Sequence, residues 1–397
     1  MKILAIADYL PMLDRASGDL RFYTILKMLR GCHTVSICCY DWQRQLNEIG
    51  ENELTCYQDQ IEKLGVEVIR SSILAALNQE RFDVIWFEFY FAARVNIGNV
   101  RLYQPQAIVV VDSVDVHFNR LLAKAALSGM REDQIHASKI REDELSTYSR
   151  SDFVVVVTKD DQKILEDNIR NVRCVLLPNI HDVPPCGERD HVDEATLLFV
   201  GGFRHEPNVD AVTYFCTEIF PKILNAVPHA KLNVIGGSPP ESVLRFSSEN
   251  VSVLGYVPDI VSYYHSATVS VAPLRFGGGM KGKVGEAMAY TVPVVTTTFG
   301  AEGFGLQAGE HLIVADNAGD FADQVVRMIK DKELNRRVAR AGWCFINDHY
   351  SYEYLFEKVI SSFDEMKKAA PRKLSFVNLI KIRALKFYQE NIKWRLS

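Results

Sequence analysis

No pair among the eight cysteines has C-x-x-C spacing, so zinc-ribbon and thioredoxin-like readings have no support. Several of the eight, which are Cys32, Cys38, Cys39, Cys56, Cys174, Cys186, Cys216 and Cys344, lie in strand-like apolar runs. There a reduced thiol behaves as a small hydrophobe, and a reducing compartment is expected. Positive charge is not in excess: 45 Lys and Arg face 50 Asp and Glu, a net charge of −5. A nucleic-acid partner is therefore not expected. No window approaches the roughly 20 apolar residues that cross a bilayer. No charged leader precedes a long apolar stretch, since Met1–Ala7 already reads as a strand, so the expected location is the cytoplasm. Solenoid periods, low-complexity tracts and a G-K-[ST] phosphate loop are also missing. No G-x-G-x-x-G opens a helix after the first strand, which makes NAD-linked oxidoreduction a poor fit.

What is present is a chain of 397 residues with 48% hydrophobic and 24% charged residues, the balance of a soluble globular protein. Its length suits two domains. Short Val- and Ile-rich runs alternate with helical-period segments almost throughout. The first series is Ile3–Ala7, Thr34–Cys38, Val84–Phe87, Ala107–Val111, Phe153–Val157 and Cys174–Leu177. The second is Thr196–Val200, Lys231–Ile235, Val251–Leu254, Thr268–Ala272, Val294–Thr297 and His311–Val314. Runs without polar alternation read as strands buried on both faces of a parallel sheet, with helices as crossovers. The expected class is α/β, with two Rossmann-like doubly wound domains facing a cleft. Pro178–Asp190, with three prolines, reads as a hinge, so the divisions are placed at 1–190, 191–350 and 351–397. The last part begins with a helix and ends in a basic amphipathic tail over 371–397, where seven Lys and Arg face only Glu390. Such a tail can rest on an anionic membrane surface or dock on the protein itself.

Chemistry concentrates in Gly277-Gly278-Gly279-Met280-Lys281-Gly282-Lys283-Val284-Gly285-Glu286, which follows a strand and opens a helix. Consecutive glycines let backbone N–H groups approach an anion, and the helix N-terminus favours phosphate. Lys281 and Lys283 add mobile positive charge. Glu286, three residues beyond Lys283, can face the same cleft and suits paired hydroxyls such as those of a ribose. A second strand and glycine turn, Phe199 to Asn208, places Arg204 at a strand's carboxyl end as an anion clamp. Glu302 offers a carboxylate after the strand Val294–Thr297, and Gly18 lies in the loop region after the first strand. Asp115 and His117 follow the strand Ala107–Val111, where they could hold a sugar or cap the next helix.

This ordered set resembles glycosyltransferase family 4, retaining enzymes of the GT-B architecture, most tightly over roughly residues 196–305. The likeness rests on Val200-Gly201-Gly202-Phe203-Arg204-His205-Glu206-Pro207-Asn208, on Leu254-Gly255-Tyr256-Val257-Pro258-Asp259, and on Gly279 through Lys283 running into Glu286. Pro293-Val294-Val295 and Gly300-Ala301-Glu302-Gly303 complete it, and Gly18, Asp115-Val116-His117, Glu144 and Pro178-Asn179 are looser matches. The resemblance implies a nucleotide-diphosphate sugar as donor and a saccharide or lipid-linked saccharide as acceptor, in cell-surface polysaccharide assembly. It implies no metal and no cofactor. By position, Arg204 and Lys283 would stabilise the departing diphosphate, Glu286 would hold the ribose, and His117 would lie near the transferred sugar. Gly18, Gly202, Gly279, Met280, Lys281 and Gly282 would surround the donor. Backbone at Tyr256 and Val257 would border the base. Many family members carry a further glutamate where this chain has Gly278, and Glu302 is a candidate to share its work. Alternatives are a nucleotide-sugar epimerase of the same fold and a degenerate, non-catalytic transferase domain.

Overall fold

A computed structural model describes residues 1–187 and 195–372, and beyond them residues 380, 383, 384 and 387. Part of the expected hinge (188–190) and most of the basic tail therefore lie outside the described residues. Two sheets, all of whose strand pairs are parallel, organise the rest. The first contains β1 (Lys2–Ala7), β2 (Thr34–Cys39), β3 (Glu67–Ile69), β4 (Val84–Glu88), β5 (Ile108–Asp112), β6 (Phe153–Val156) and β7 (Cys174–Leu176). Its order is β3-β2-β1-β4-β5-β6-β7. The second contains β8 (Thr196–Val200), β9 (Lys231–Ile235), β10 (Val251–Gly255), β11 (Val269–Ala272), β12 (Val294–Thr296) and β13 (Ile313–Val314), in the order β10-β9-β8-β11-β12-β13.

In both sheets the strand order reverses beside the first strand of the series, between β1 and β4 and between β8 and β11. The crevice outside the carboxyl ends at such a reversal is where open α/β sheets bind ligands. The two Rossmann-like domains of a GT-B fold are thus in place. Helices cover both faces because the strands are buried on both faces, and every residue of β4 and β5 is buried. Only β3 departs from the expected series, because Glu-Val-Ile holds just two apolar residues at the sheet's edge.

Six helices position the site: α1 (Ser17–Cys32), α2 (His117–Ser128), α3 (Arg131–Arg150), α4 (Gly282–Ala289), α5 (Lys332–Tyr350) and α6 (Tyr352–Lys368). Helix α6 belongs spatially to the first sheet. Phe363 on α6 and Phe22 on α1 pack edge-on against the fully buried Trp86 of β4, at 5.6 and 4.8 Å between ring centres. The chain therefore passes between domains twice, and the two passages lie side by side. His181 N–H donates to Tyr350 C=O at 2.8 Å, and Tyr352 N–H donates to His181 C=O at 3.1 Å. Trp343 Nε1 also donates to the carbonyl of Pro184, at 2.9 Å.

Candidate functional site

At the second domain's strand reversal, the turn after β8 is built without room for side chains. A Cβ on Gly201 would come within 2.8 Å of Asn208, whose amide donates to the Gly202 carbonyl at 2.7 Å. The Oδ1 of the same Asn208 accepts a hydrogen bond from Lys283 Nζ, which also lies over the Phe199 ring, 5.2 Å from its centre. No carboxylate pairs with Lys283 among the described residues. Burial, and then the field of Lys281, push its pKa down to about 7. A lysine held this way gains strongly from an anion brought beside it.

Lys281 is not the mobile cation expected from its place in the loop. It is buried, donates to the Gly279 carbonyl at 2.9 Å, and lies 3.4 Å from Glu302. It holds the turn closed, with Gly279 at φ 56, a left-handed conformation that favours glycine. No side chain caps the N-terminus of α4; Val284 N–H donates to the Lys281 carbonyl at 2.8 Å, and the N–H groups of Gly282 and Lys283 remain available to an acceptor. One turn along, Glu286 accepts from the Tyr264 hydroxyl at 3.0 Å, and burial raises its pKa.

The first domain meets this surface closely. A Cβ on Gly282 would collide with Ser17, at the start of α1, and Gly18 leaves only 3.4 Å between such an atom and Val114. Val114 has φ 56, a conformation a β-branched residue adopts only under constraint. Just beyond it, Asp115 Oδ1 lies 3.0 Å from His117 Nδ1, off the line needed for a hydrogen bond. The His117 ring sits among Phe89, Tyr90 and Phe91, with centres 5.7, 5.4 and 6.2 Å away. Glu144 fixes the start of α2: it accepts from His117 N–H at 3.1 Å, from Phe118 N–H at 2.9 Å and from the Tyr148 hydroxyl at 2.8 Å. The capping role is thus taken by Glu144, leaving Asp115 free for another.

Several contacts join the two sides. Asn179 Nδ2 donates to Met280 C=O at 3.3 Å, and Arg120 Nη1 is 3.3 Å from His205 Nδ1. Charges on Arg120, Lys283, Asp115 and His117 all act on His205, which marks the point where the halves converge. Arg204 lies on the rim, where it pairs with Glu48 of the first domain at 3.1 Å, and its side chain is 61% exposed. Tyr256 is also exposed; its hydroxyl donates to Asp14, and Arg15 lies 5.8 Å from its ring centre. Val257 packs, partly buried, against the core cluster that contains Met280 and Val284. The structure therefore gathers Gly202, Lys283, Gly279, Met280, Lys281, Gly282, Gly18 and His117 at the cleft and places Glu286 one helical turn away. Arg204 and Tyr256 sit at its mouth, and Glu302 behind the turn. Sequence reasoning did not single out Asp14, Arg15, Glu48 or Arg120, which carry no motif and matter through the partner domain they meet. Among the described residues, no cluster of three His, Cys, Asp or Glu is arranged to hold a metal ion.

Both the fold and the placement of the cleft define a two-domain protein of GT-B type. Residues 194–331, most of the second domain, match the family model described as glycosyl transferases group 1. The chain is 26% identical over 164 residues to the capsular polysaccharide biosynthesis glycosyltransferase CapM of Staphylococcus aureus, covering 39% of this chain and 43% of CapM. The chain thus spans less than half the length of the curated relatives it matches. Among solved structures, sucrose-phosphate synthase from Thermosynechococcus elongatus superposes with a TM-score of 0.70 at 14% identity, covering 92% of this chain and 99% of that one. Anabaena HepE in complex with UDP-glucose superposes with a TM-score of 0.64 at 12% identity, covering 92% and 100%.

Proposed function

We propose that this protein is a retaining glycosyltransferase that moves a sugar from a nucleoside-diphosphate sugar to a saccharide acceptor in cell-surface polysaccharide assembly. The observation that carries the reading is Lys283: a half-buried lysine whose partners among the described residues are an amide and a ring, beside an uncapped helix N-terminus and a glycine turn. A diphosphate supplies the charge this pocket lacks. Glycosyl transfer needs a stabilised leaving group, and fixed positive charge at the departing phosphate provides it. Glu286, with its second oxygen free of the Tyr264 hydroxyl, suits a ribose hydroxyl. The capsular relative and the UDP-glucose complex of HepE support the choice of donor and setting. Retention fits a site whose strongest features are basic and glycine-rich.

A thermal-shift panel of UDP, GDP, ADP, CMP and NAD, followed by their sugars, tests the proposal. One nucleoside diphosphate should raise the melting temperature, since a ligand of the folded state stabilises it by mass action. The shift should shrink in Arg204→Ala and vanish in Lys283→Ala, which should also lose turnover. No shift with any diphosphate at millimolar concentration would favour the degenerate, non-catalytic reading.

A further inference from the structure

The glycine at position 278 needs an explanation that its backbone does not give. Its φ lies outside the left-handed range, so the conformation alone would accept another residue. What a side chain would lack is space, since its neighbours would have to give way. A Cβ there would lie 3.1 Å from Asp115 Oδ2 and 3.2 Å from Arg120 Cβ, both tighter than ordinary packing. At the neighbouring Gly279 a Cβ would lie 3.1 Å from the Asp115 Cβ and 3.1 Å from the Val114 carbonyl. The glycine turn of the second domain is thus shaped around one carboxylate of the first.

That carboxylate is held in place yet chemically unspent. The constrained Val114 and a 2.6 Å hydrogen bond from Asp115 N–H to the Ser113 carbonyl fix its backbone. Its Oδ1 faces His117 at 3.0 Å, and its Oδ2 lies 3.4 Å from Arg120 Nη1. Neither oxygen accepts a hydrogen bond from another described residue, although the side chain is only 13% exposed. An ionised carboxylate offers about four acceptor positions. In a narrow space, donors brought by a ligand would fill them.

We propose that Asp115 reads the hydroxyls of the transferred sugar, reaching from the first domain into the space that Gly278 leaves open. The inference rests on the donor reading above: with the diphosphate at Lys283 and the start of α4, the sugar lies between the glycine turn and His117. Hydroxyls suit the site, while a uronic acid would bring a second negative charge against Asp115. The sugar is therefore a neutral one, and Asp115 selects it from its place beside the His117 ring.

The test separates nucleotide from sugar by calorimetric titration of UDP against UDP-glucose, with GDP against GDP-mannose in parallel. Wild type should bind one diphosphate sugar more tightly than its diphosphate. Asp115→Asn and Asp115→Ala should keep diphosphate affinity within about twofold but weaken the sugar nucleotide, by about tenfold in the alanine variant, as expected for a lost bond to a charged group. Gly278→Glu alone should also lose the sugar's contribution, through collision and repulsion with Asp115. Combined with Asp115→Ala it should recover much of that contribution, because the new carboxylate enters the vacated space. Equal weakening of both ligands, an unchanged ratio, or no recovery in the double variant would overturn the role of Asp115. Absence of any diphosphate binding in wild type would overturn the donor reading, and this inference with it.

Discussion

Lys283 carries an unusual proton equilibrium. Its folded-state pKa of about 7 lies below the ordinary lysine value of 10.5, with burial the main cause. The unfolded chain therefore binds more protons between those values, so this residue makes stability rise with pH across that window. Denaturation at pH 7, 8 and 9 should show the slope, and Lys283→Met should flatten it; an unaltered slope would place the effect elsewhere. An arriving diphosphate works in the opposite sense, because it favours the charged ammonium. At pH 8 binding should draw a proton from solution, which appears as a dependence of the calorimetric heat on the ionisation enthalpy of the buffer. Affinity should fall as pH rises above 7. Heats identical in Tris and HEPES would show that Lys283 is already charged in the free protein.

At the scale of elements, α4 is placed by an exchange between two residues far apart in sequence. A Cβ on Gly285 would collide with the imidazole of His181, which is buried in the first interdomain passage and whose pKa burial lowers to about 4. Alanine is worth about 1 kcal/mol over glycine inside a helix, whereas forcing atoms into a packed site costs about 1–3 kcal/mol. The collision should win, so Gly285→Ala lowers the melting temperature. In the His181→Ala background the same change should raise it, because the obstacle is gone; a lowering in both backgrounds would refute the pairing. These two positions also show where sequence reading stops. Twelve of the thirteen strands are visible as short apolar runs, most plainly β4 and β5, which are buried on both faces and so lack polar alternation. The glycine turn and Lys283 are visible because a phosphate site needs those residue types together. Glu48 opposite Arg204 and Asp14 beneath Tyr256 leave no local trace, and nothing local says that Glu144 will hold the start of α2. Each acts across tens to hundreds of residues, and only the topology says which distant backbone or side chain it will meet.

At the scale of the whole molecule, first-domain groups close the mouth of the cleft. Arg204, the expected anion clamp, is occupied by Glu48, a carboxylate standing where an anionic ligand would compete. The pair is substantially exposed, and ion pairs of this kind are weak. Glu48→Gln should therefore raise diphosphate affinity only a few-fold, with a matching gain in salt sensitivity. A decrease would mean that Glu48 helps to build the site instead of guarding it.

Helix α6 carries a consequence for biosynthesis. Leu355, Val359 and Phe363 belong to the same buried cluster as Phe22 and Trp86, so segments that flank the whole second domain in sequence share a core. The first domain emerges with one flank of its sheet uncovered and waits while the second is translated. Chains of this size commonly fold domain by domain in order of synthesis. Here the domain made first is completed last, and until residue 363 arrives the nascent chain presents an apolar surface of the kind that chaperones bind.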